Sequence, residues 1–165
     1  MKYIANIMSM ANLAFGVMSI YFATKGSFVA ACIMLLLSVI LDGFDGRVAR
    51  HFNCVSEIGK QLDSLCDLVG FGVAPGFLLY YFIYPLIGEF AIAFTVMFVL
   101  CGAFRLARFN VLNIHEYYVG VPITIAGMFV GILGFWNLKI PAIVWIIIAV
   151  LLSYLMVCSK KFKKF

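Results

Sequence analysis

Charge is what this sequence has least of. Only 12% of its 165 residues are charged, about half the roughly 25% of a soluble domain. That shortage excludes an ordinary soluble enzyme, and the 65% of apolar and aromatic residues excludes a disordered chain. Metal-binding cysteine motifs are lacking too. Cys32, Cys54, Cys66, Cys101 and Cys158 include no CxxC pair and are odd in number, so they read as small apolar fillers in helices, not as a zinc site or a disulfide framework. The two histidines, His51 and His115, have no partner at metal spacing and read as interfacial. The basic residues form no continuous face, which argues against a nucleic-acid partner. There is no internal repeat at solenoid periods, and Met1-Lys2-Tyr3-Ile4 does not read as a signal peptide.

What remains is apolar run after apolar run. A transmembrane helix needs about 20 apolar residues, and turn signals divide the chain into six candidate spans. These are residues 3–24, 28–50, 56–84, 90–110, 117–137 and 141–158, with Pro75 expected to bend the third. The expected fold class is an all-α integral membrane protein, a single bundle of six transmembrane helices filling residues 1–165 with no soluble domain. Short loops make sequential helices neighbours. With the N-terminus in the cytoplasm, Lys2, Arg47, Arg50, Lys60, Arg105, Arg108 and the tail lysines Lys160, Lys161, Lys163 and Lys164 fall on the cytoplasmic side, against Lys25 and Lys139 outside. Ten against two follows the positive-inside rule and puts both termini at the inner face of the cell membrane.

The scarce acids are not scattered. Of seven carboxylates, five lie between Asp42 and Asp67. Asp42 and Asp45 are i and i+3, and Asp63 and Asp67 are i and i+4, so each pair projects from one helix face. A carboxylate at membrane depth costs a few kcal/mol unless paired or metal-bound. Two antiparallel helices joined by a short loop would bring the pairs together. Four oxygen donors around one hole suit two hard divalent cations, Mg²⁺ or Mn²⁺, with positions left for phosphate oxygens. The plainer reading is a solvated hairpin whose acids pair with Arg47, Arg50 and Lys60. Gly46, Ala49 and Gly59 beside the acids permit close approach of a ligand or, equally, of a neighbouring helix.

Read in order, Asp42, Asp45, Gly46, Ala49, Arg50, Gly59, Asp63 and Asp67 spell DxxDGxxARx8Gx3Dx3D. This resembles the signature of the CDP-alcohol phosphotransferase family with all eight defined positions filled. Residues 56–65, Phe71 to Pro75, Arg105 to Asn110, Gly120 to Pro122 and the end of the last span look like the phosphatidylserine synthase branch. Cys66, Gly70 and Thr124 depart from that branch's usual residues, which bears on the acceptor and not on the metal centre.

The resemblance implies an enzyme in which serine attacks the lipid-linked phosphate of CDP-diacylglycerol, releasing CMP and forming phosphatidylserine. It makes Asp42, Asp45, Asp63 and Asp67 the metal ligands and Asp67 also the general base. It gives Gly46, Ala49, Arg50, Ser56, Gly59 and Lys60 to the nucleotide and donor phosphates. Asn12 and Gly16 are candidates for the same wall or for helix packing. At least one of Arg105 and Arg108, i and i+3 and level with the acids, is expected to bind the serine carboxylate, the alternative being a topology anchor or a lipid-headgroup contact. Family siblings are commonly homodimers, so a homodimer is expected. A sibling activity with glycerol phosphate or an inositol phosphate as acceptor, or an archaeal ether-lipid donor, is the alternative. A cation transporter would also place acids in membrane helices, but these cluster at one face and no inverted repeat is visible.

Overall fold

A computed structural model describes the backbone of residues 2–51, 57–112, 117–136, 140–158 and 161–163, and the side chains of 6–44, 58–111, 120–136 and 140–158. Among the described residues, seven α-helices carry the fold: α1 (Lys2–Thr24), α2 (Phe28–His51), α3 (Glu57–Asp67), α4 (Ala74–Ile87), α5 (Ala91–Leu112), α6 (Ile123–Gly134) and α7 (Ala142–Val157). A π-helical segment, Leu68–Val73, joins α3 to α4, and a 3₁₀ turn, Gly88–Phe90, joins α4 to α5. Two three-residue strands, β1 (Tyr117–Val119) and β2 (Lys161–Lys163), pair antiparallel.

Two helical hairpins set the layout. In the first, α1 and α2 reverse at Gly26, and the register is fixed by buried side chains that bond to the facing backbone. Ser19 donates to the Ala31 carbonyl at 2.8 Å, and Ser38 to the Asn12 carbonyl at 3.2 Å. This pairing runs antiparallel about residue 25, so Asp42 on α2 lies level with the stretch of α1 near Ser9. In the second, α4 and α5 reverse at the 3₁₀ turn, with Thr95 donating to the Gly76 carbonyl at 3.0 Å. α7 packs on α4 and α5, and α6 packs on α2 and the π segment. Trp145 of α7 is fully buried against Phe82 of α4, ring centroids 4.6 Å apart.

Large apolar side chains are exposed on several helices. Val96, Leu100 and Phe104 line one exposed face of α5 at i, i+4 spacing, and Ile143, Ile147, Leu151 and Tyr154 line one of α7. A soluble fold rarely exposes such stripes; helices bathed in lipid need them. By length and composition, Asn6–Thr24 and the continuous stretch Ile58–Val111 can cross a membrane, and Phe28–Phe44, Ile123–Gly134 and Ala142–Val157 are shorter apolar helices. The apolar helices fit a membrane protein.

Two expectations are modified. The third span changes helix type ahead of Pro75. Proline has no N–H to give and its ring crowds the carbonyl four residues earlier; a π-helical stretch precedes α4, with Pro75 in the first turn of that helix. The fifth span does not begin at Tyr117. Residues 117–119 are extended, Gly120 takes a positive φ of 75°, Pro122 caps the helix, and α6 has twelve residues. Gly120 is the residue that this turn requires. An added Cβ would stand 2.6 Å from the Met156 carbonyl oxygen and 3.0 Å from that of Leu155, and left-handed backbone already disfavours any other L-residue.

Candidate active site

The end of the α1–α2 hairpin remote from Gly26 meets α3. There Asp42, Asp63 and Asp67 each offer one carboxylate oxygen, and the three oxygens lie within 4.8 Å of one another. All three residues are half-buried. Two like charges at that separation repel by about 3 kcal/mol at an effective dielectric of about 20, so the cluster needs a cation, hydrogen-bond donors or a shared proton to offset the repulsion. An all-oxygen donor set fits a hard divalent cation and fits poorly a metal that prefers sulfur or imidazole. Asp42, Asp63 and Asp67 can therefore hold such an ion.

α1 supports the acids from behind. Ser9, only 5% exposed, donates to Asp63 Oδ1 at 3.4 Å, and Asn12, fully buried, donates from Nδ2 to Asp67 Oδ1 at 3.3 Å. The i, i+3 spacing of Ser9 and Asn12 matches the i, i+4 spacing of the two aspartates on the facing helix. Gly16 continues this face of α1 against the backbone of Gly70, where a Cβ on Gly16 would lie 2.8 Å from the Gly70 Cα. Gly16 thus serves helix packing.

On its other side the cluster opens into a cavity of about 220 Å³. Asp63 and Asp67 line it together with Lys60, Ser64, Arg105, Asn110, Pro122 and Thr124. Arg105 is buried, 7% exposed, and lines this cavity together with two of the acids. Asn110 donates from Nδ2 to Ser64 Oγ at 2.9 Å, tying α5 to α3 across the cavity, and Ser64 also bonds the Lys60 carbonyl at 3.1 Å.

Arg108 lies one turn further on and points elsewhere. Its Nη1 donates to the Val157 carbonyl at 3.3 Å, and its guanidinium lies 6.0 Å from the Phe104 ring centroid. A cation at the last carbonyls of α7 is favoured by the helix dipole. The expected pair of arginines is thus split between the cavity and a helix end. Asp45, Gly46, Ala49 and Arg50 lie on the last turns of α2, with side chains outside the described set; Ser56 lies outside the described residues altogether. Gly59 is half-buried near the start of α3.

This geometry agrees with a match along nearly the whole chain. A family model described as CDP-alcohol phosphatidyltransferase covers residues 2–160. The chain belongs to the CDP-alcohol phosphatidyltransferase family. Among curated family members, a Bacillus subtilis CDP-diacylglycerol–serine O-phosphatidyltransferase is 36% identical over 169 residues, covering all of this chain and 92% of its own length. A Helicobacter pylori protein of the same name is 42% identical over 128 residues, 76% of this chain and 54% of that protein. An archaetidylserine synthase of Methanothermobacter thermautotrophicus is 36% identical over 159 residues, 89% of this chain and 65% of the relative. The chain thus spans about half the length of the Helicobacter relatives it matches.

The polar partners Ser9, Ser38, Ser64 and Asn110 were not singled out from the sequence as site residues. Their signal was there: a buried uncharged polar side chain needs a hydrogen-bond partner, either one turn back on its own helix or on a neighbouring one.

Proposed function

We propose that the protein is a phosphatidylserine synthase, transferring the phosphatidyl group of CDP-diacylglycerol to the hydroxyl of L-serine and releasing CMP. The observation that carries this is the convergence of Asp42, Asp63 and Asp67 beside a cavity that Arg105 and Lys60 also line. Anionic donor phosphates, a neutral alcohol and an acceptor carboxylate each find a suitable group there. The names of the Bacillus and Helicobacter relatives support serine as the acceptor.

In this reading Asp42, Asp45, Asp63 and Asp67 hold two divalent cations, Mg²⁺ or Mn²⁺. When bound, these would neutralise the diphosphate and stabilise charge on the departing CMP oxygen. The chain's own residues do the rest. Asp67 takes the proton from the serine hydroxyl as its oxygen attacks the phosphorus that carries diacylglycerol; the bond to the CMP oxygen breaks, and CMP leaves with that electron pair. A free carboxylate is a weak base for an alcohol, so the fixed placement of hydroxyl and phosphorus supplies much of the rate. Arg105 binds the serine carboxylate through its planar fork of donors. Arg108 secures the end of α7. Arg50 and Lys60 meet the donor phosphates, while Gly46, Ala49, Ser56 and Gly59 let the cytidine lie against the helices.

The membrane arrangement belongs to the same proposal. Residues 1–165 form one domain of six spans: α1, α2, α3 to α4 as one, α5, α6 and α7. Both termini and the site lie on the cytoplasmic side of the cell membrane, as the ten-to-two bias of basic residues supports. The protein acts as a homodimer. The archaetidylserine synthase relative supports a second reading of the donor alone, a CDP-linked ether lipid with the same acceptor.

The test is CMP release in detergent with Mn²⁺ or Mg²⁺, comparing serine, glycerol 3-phosphate, inositol and inositol phosphate. Release that requires both serine and metal is expected. Release with another alcohol moves the protein to a sibling activity. No release with any acceptor, from either the ester or the ether donor, refutes the proposal.

A further inference from the structure

A primary amide with no solvent exposure sits directly behind the acid cluster. Asn12 on α1 is fully buried, and so is Ser38 on α2. Both ends of the Asn12 amide are engaged. Its Nδ2 donates to Asp67 Oδ1 at 3.3 Å, and its Oδ1 accepts from the Ser38 hydroxyl. The two contacts define one orientation. Turned over, the amide would set its carbonyl oxygen against the Asp67 carboxylate, acceptor against acceptor. Ser38 has one proton, shared between the Asn12 side-chain and backbone oxygens, so it holds the amide and the helix it stands on together.

The room for this pair is made by the residue three places after Asp67. A Cβ on Gly70 would lie 2.9 Å from Asn12 Oδ1 and 3.0 Å from Ser38 Oγ. The wide turn of the π segment therefore passes over the amide with no side chain of its own. Three elements, α1, α2 and the segment that follows α3, meet at this one point, and Asp67 is the last residue before it.

We propose that Asn12 is a positioning residue for Asp67: its amide, oriented by Ser38, fixes the carboxylate that the proposed reaction uses as ligand and base. The inference rests on that functional reading for the role of Asp67, though not for the contact itself. Groups that bond to a ligating carboxylate from outside typically change metal affinity or activity about 10- to 100-fold when lost, and the burial of Asn12 leaves no water to replace it.

The test is Asn12→Leu, which fills nearly the same space and cannot donate. Two quantities are measured in detergent: Mn²⁺ affinity by electron paramagnetic resonance, and kcat and KM for serine-dependent CMP release. The expected result is a fall of about tenfold or more in Mn²⁺ affinity and kcat, with the serine KM within about twofold and the melting temperature near that of the parent. Affinity and kcat both within twofold of the parent overturn the proposal, because a packing role is preserved by leucine. If Asn12→Leu does not fold, Ser38→Ala decides. A fall of about threefold or more in the same two readouts supports the relay, Ser38→Thr restores it by returning the hydroxyl, and unchanged values for Ser38→Ala overturn it. If the parent releases no CMP with any acceptor, the functional reading fails, and the Mn²⁺ affinities alone still decide whether Asn12 orients Asp67.

Discussion

Arg105 offers the sharpest test of how the site selects its acceptor. It is 7% exposed and lines the same 220 Å³ cavity as Asp63, Asp67 and Lys60. A fully hydrated arginine discriminates weakly; a buried one lining a small cavity discriminates more strongly. Charge-assisted hydrogen bonds contribute about 1.5–3 kcal/mol each, and a forked guanidinium–carboxylate pair makes two. Allowing for the partial water access of an open cavity, the loss on substitution is about 3 kcal/mol, or roughly 100-fold. Arg105→Met keeps the length and removes the fork. It should lower kcat/KM for serine about 100-fold, mostly through KM, and leave the KM for CDP-diacylglycerol nearly unchanged. The decisive control is ethanolamine, which is serine without its carboxylate. The parent should strongly prefer serine; Arg105→Met should bring the two acceptors to within about threefold of each other. Arg105→Lys should recover only part of the loss, since an ammonium replaces the charge and not the fork. An unchanged serine KM in Arg105→Met, with the protein folded, would refute the assignment, and so would an equal fall for serine and ethanolamine.

Three further outcomes follow from the geometry. Asp67→Asn should abolish CMP release, below about 1% of the parent rate, while CDP-diacylglycerol still binds in an equilibrium assay; normal turnover would remove the proton-accepting role. Asp42→Asn and Asp63→Asn should each weaken Mn²⁺ binding and activity together, and chelation of the parent with EDTA should abolish activity until Mn²⁺ or Mg²⁺ is returned; activity that survives chelation would contradict the metal centre. Gly120→Ala forces left-handed backbone at a cost of about 1–2 kcal/mol and sets a methyl group against the α7 carbonyls, so the melting temperature should fall by roughly 2–8 °C. Activity should fall with it, because the bond from the Val121 amide to the Leu155 carbonyl at 3.1 Å holds the stretch that carries Pro122 and Thr124 into the cavity; an unchanged melting temperature would show that the loop can relax.

The acid cluster was legible because acids are so rare in this chain. In a sequence with seven carboxylates, two pairs at helical spacing stand out, and helix geometry assigns each pair to a face. What spacing could not supply was the distance between faces. That comes from the α1–α2 register, set by Ser19 and Ser38 bonding to facing carbonyls, and a serine in an apolar run does not announce which backbone oxygen it will meet. The helix boundaries show the same limit. Hydropathy continues without a break through residues 117–137, yet α6 starts only at Ile123, because Gly120 and Pro122 control the backbone there and neither changes the hydropathy much.

The arginines carry the lesson one step further. Spacing put Arg105 and Arg108 on neighbouring turns and made them look equivalent as acceptor clamps. Three residues correspond to about 300° of helix rotation, so the two side chains leave α5 about 60° apart, and in a bundle that angle is enough to separate a cavity from a helix end. Arg105 lines the cavity with Asp63 and Asp67; Arg108 reaches the Val157 carbonyl and the Phe104 ring. The consequence can be measured. Loss of Arg108 removes a bond to an exposed carbonyl, a contact that contributes about 1–3 kcal/mol to stability at most, and takes nothing directly from the acceptor. Arg108→Met should therefore lower the melting temperature and the amount of folded protein, while the ratio of kcat/KM for serine to that for ethanolamine stays within about threefold of the parent. A collapse of that ratio matching the one expected for Arg105→Met would mean that both guanidinium groups reach the bound acceptor and that the rotation argument fails.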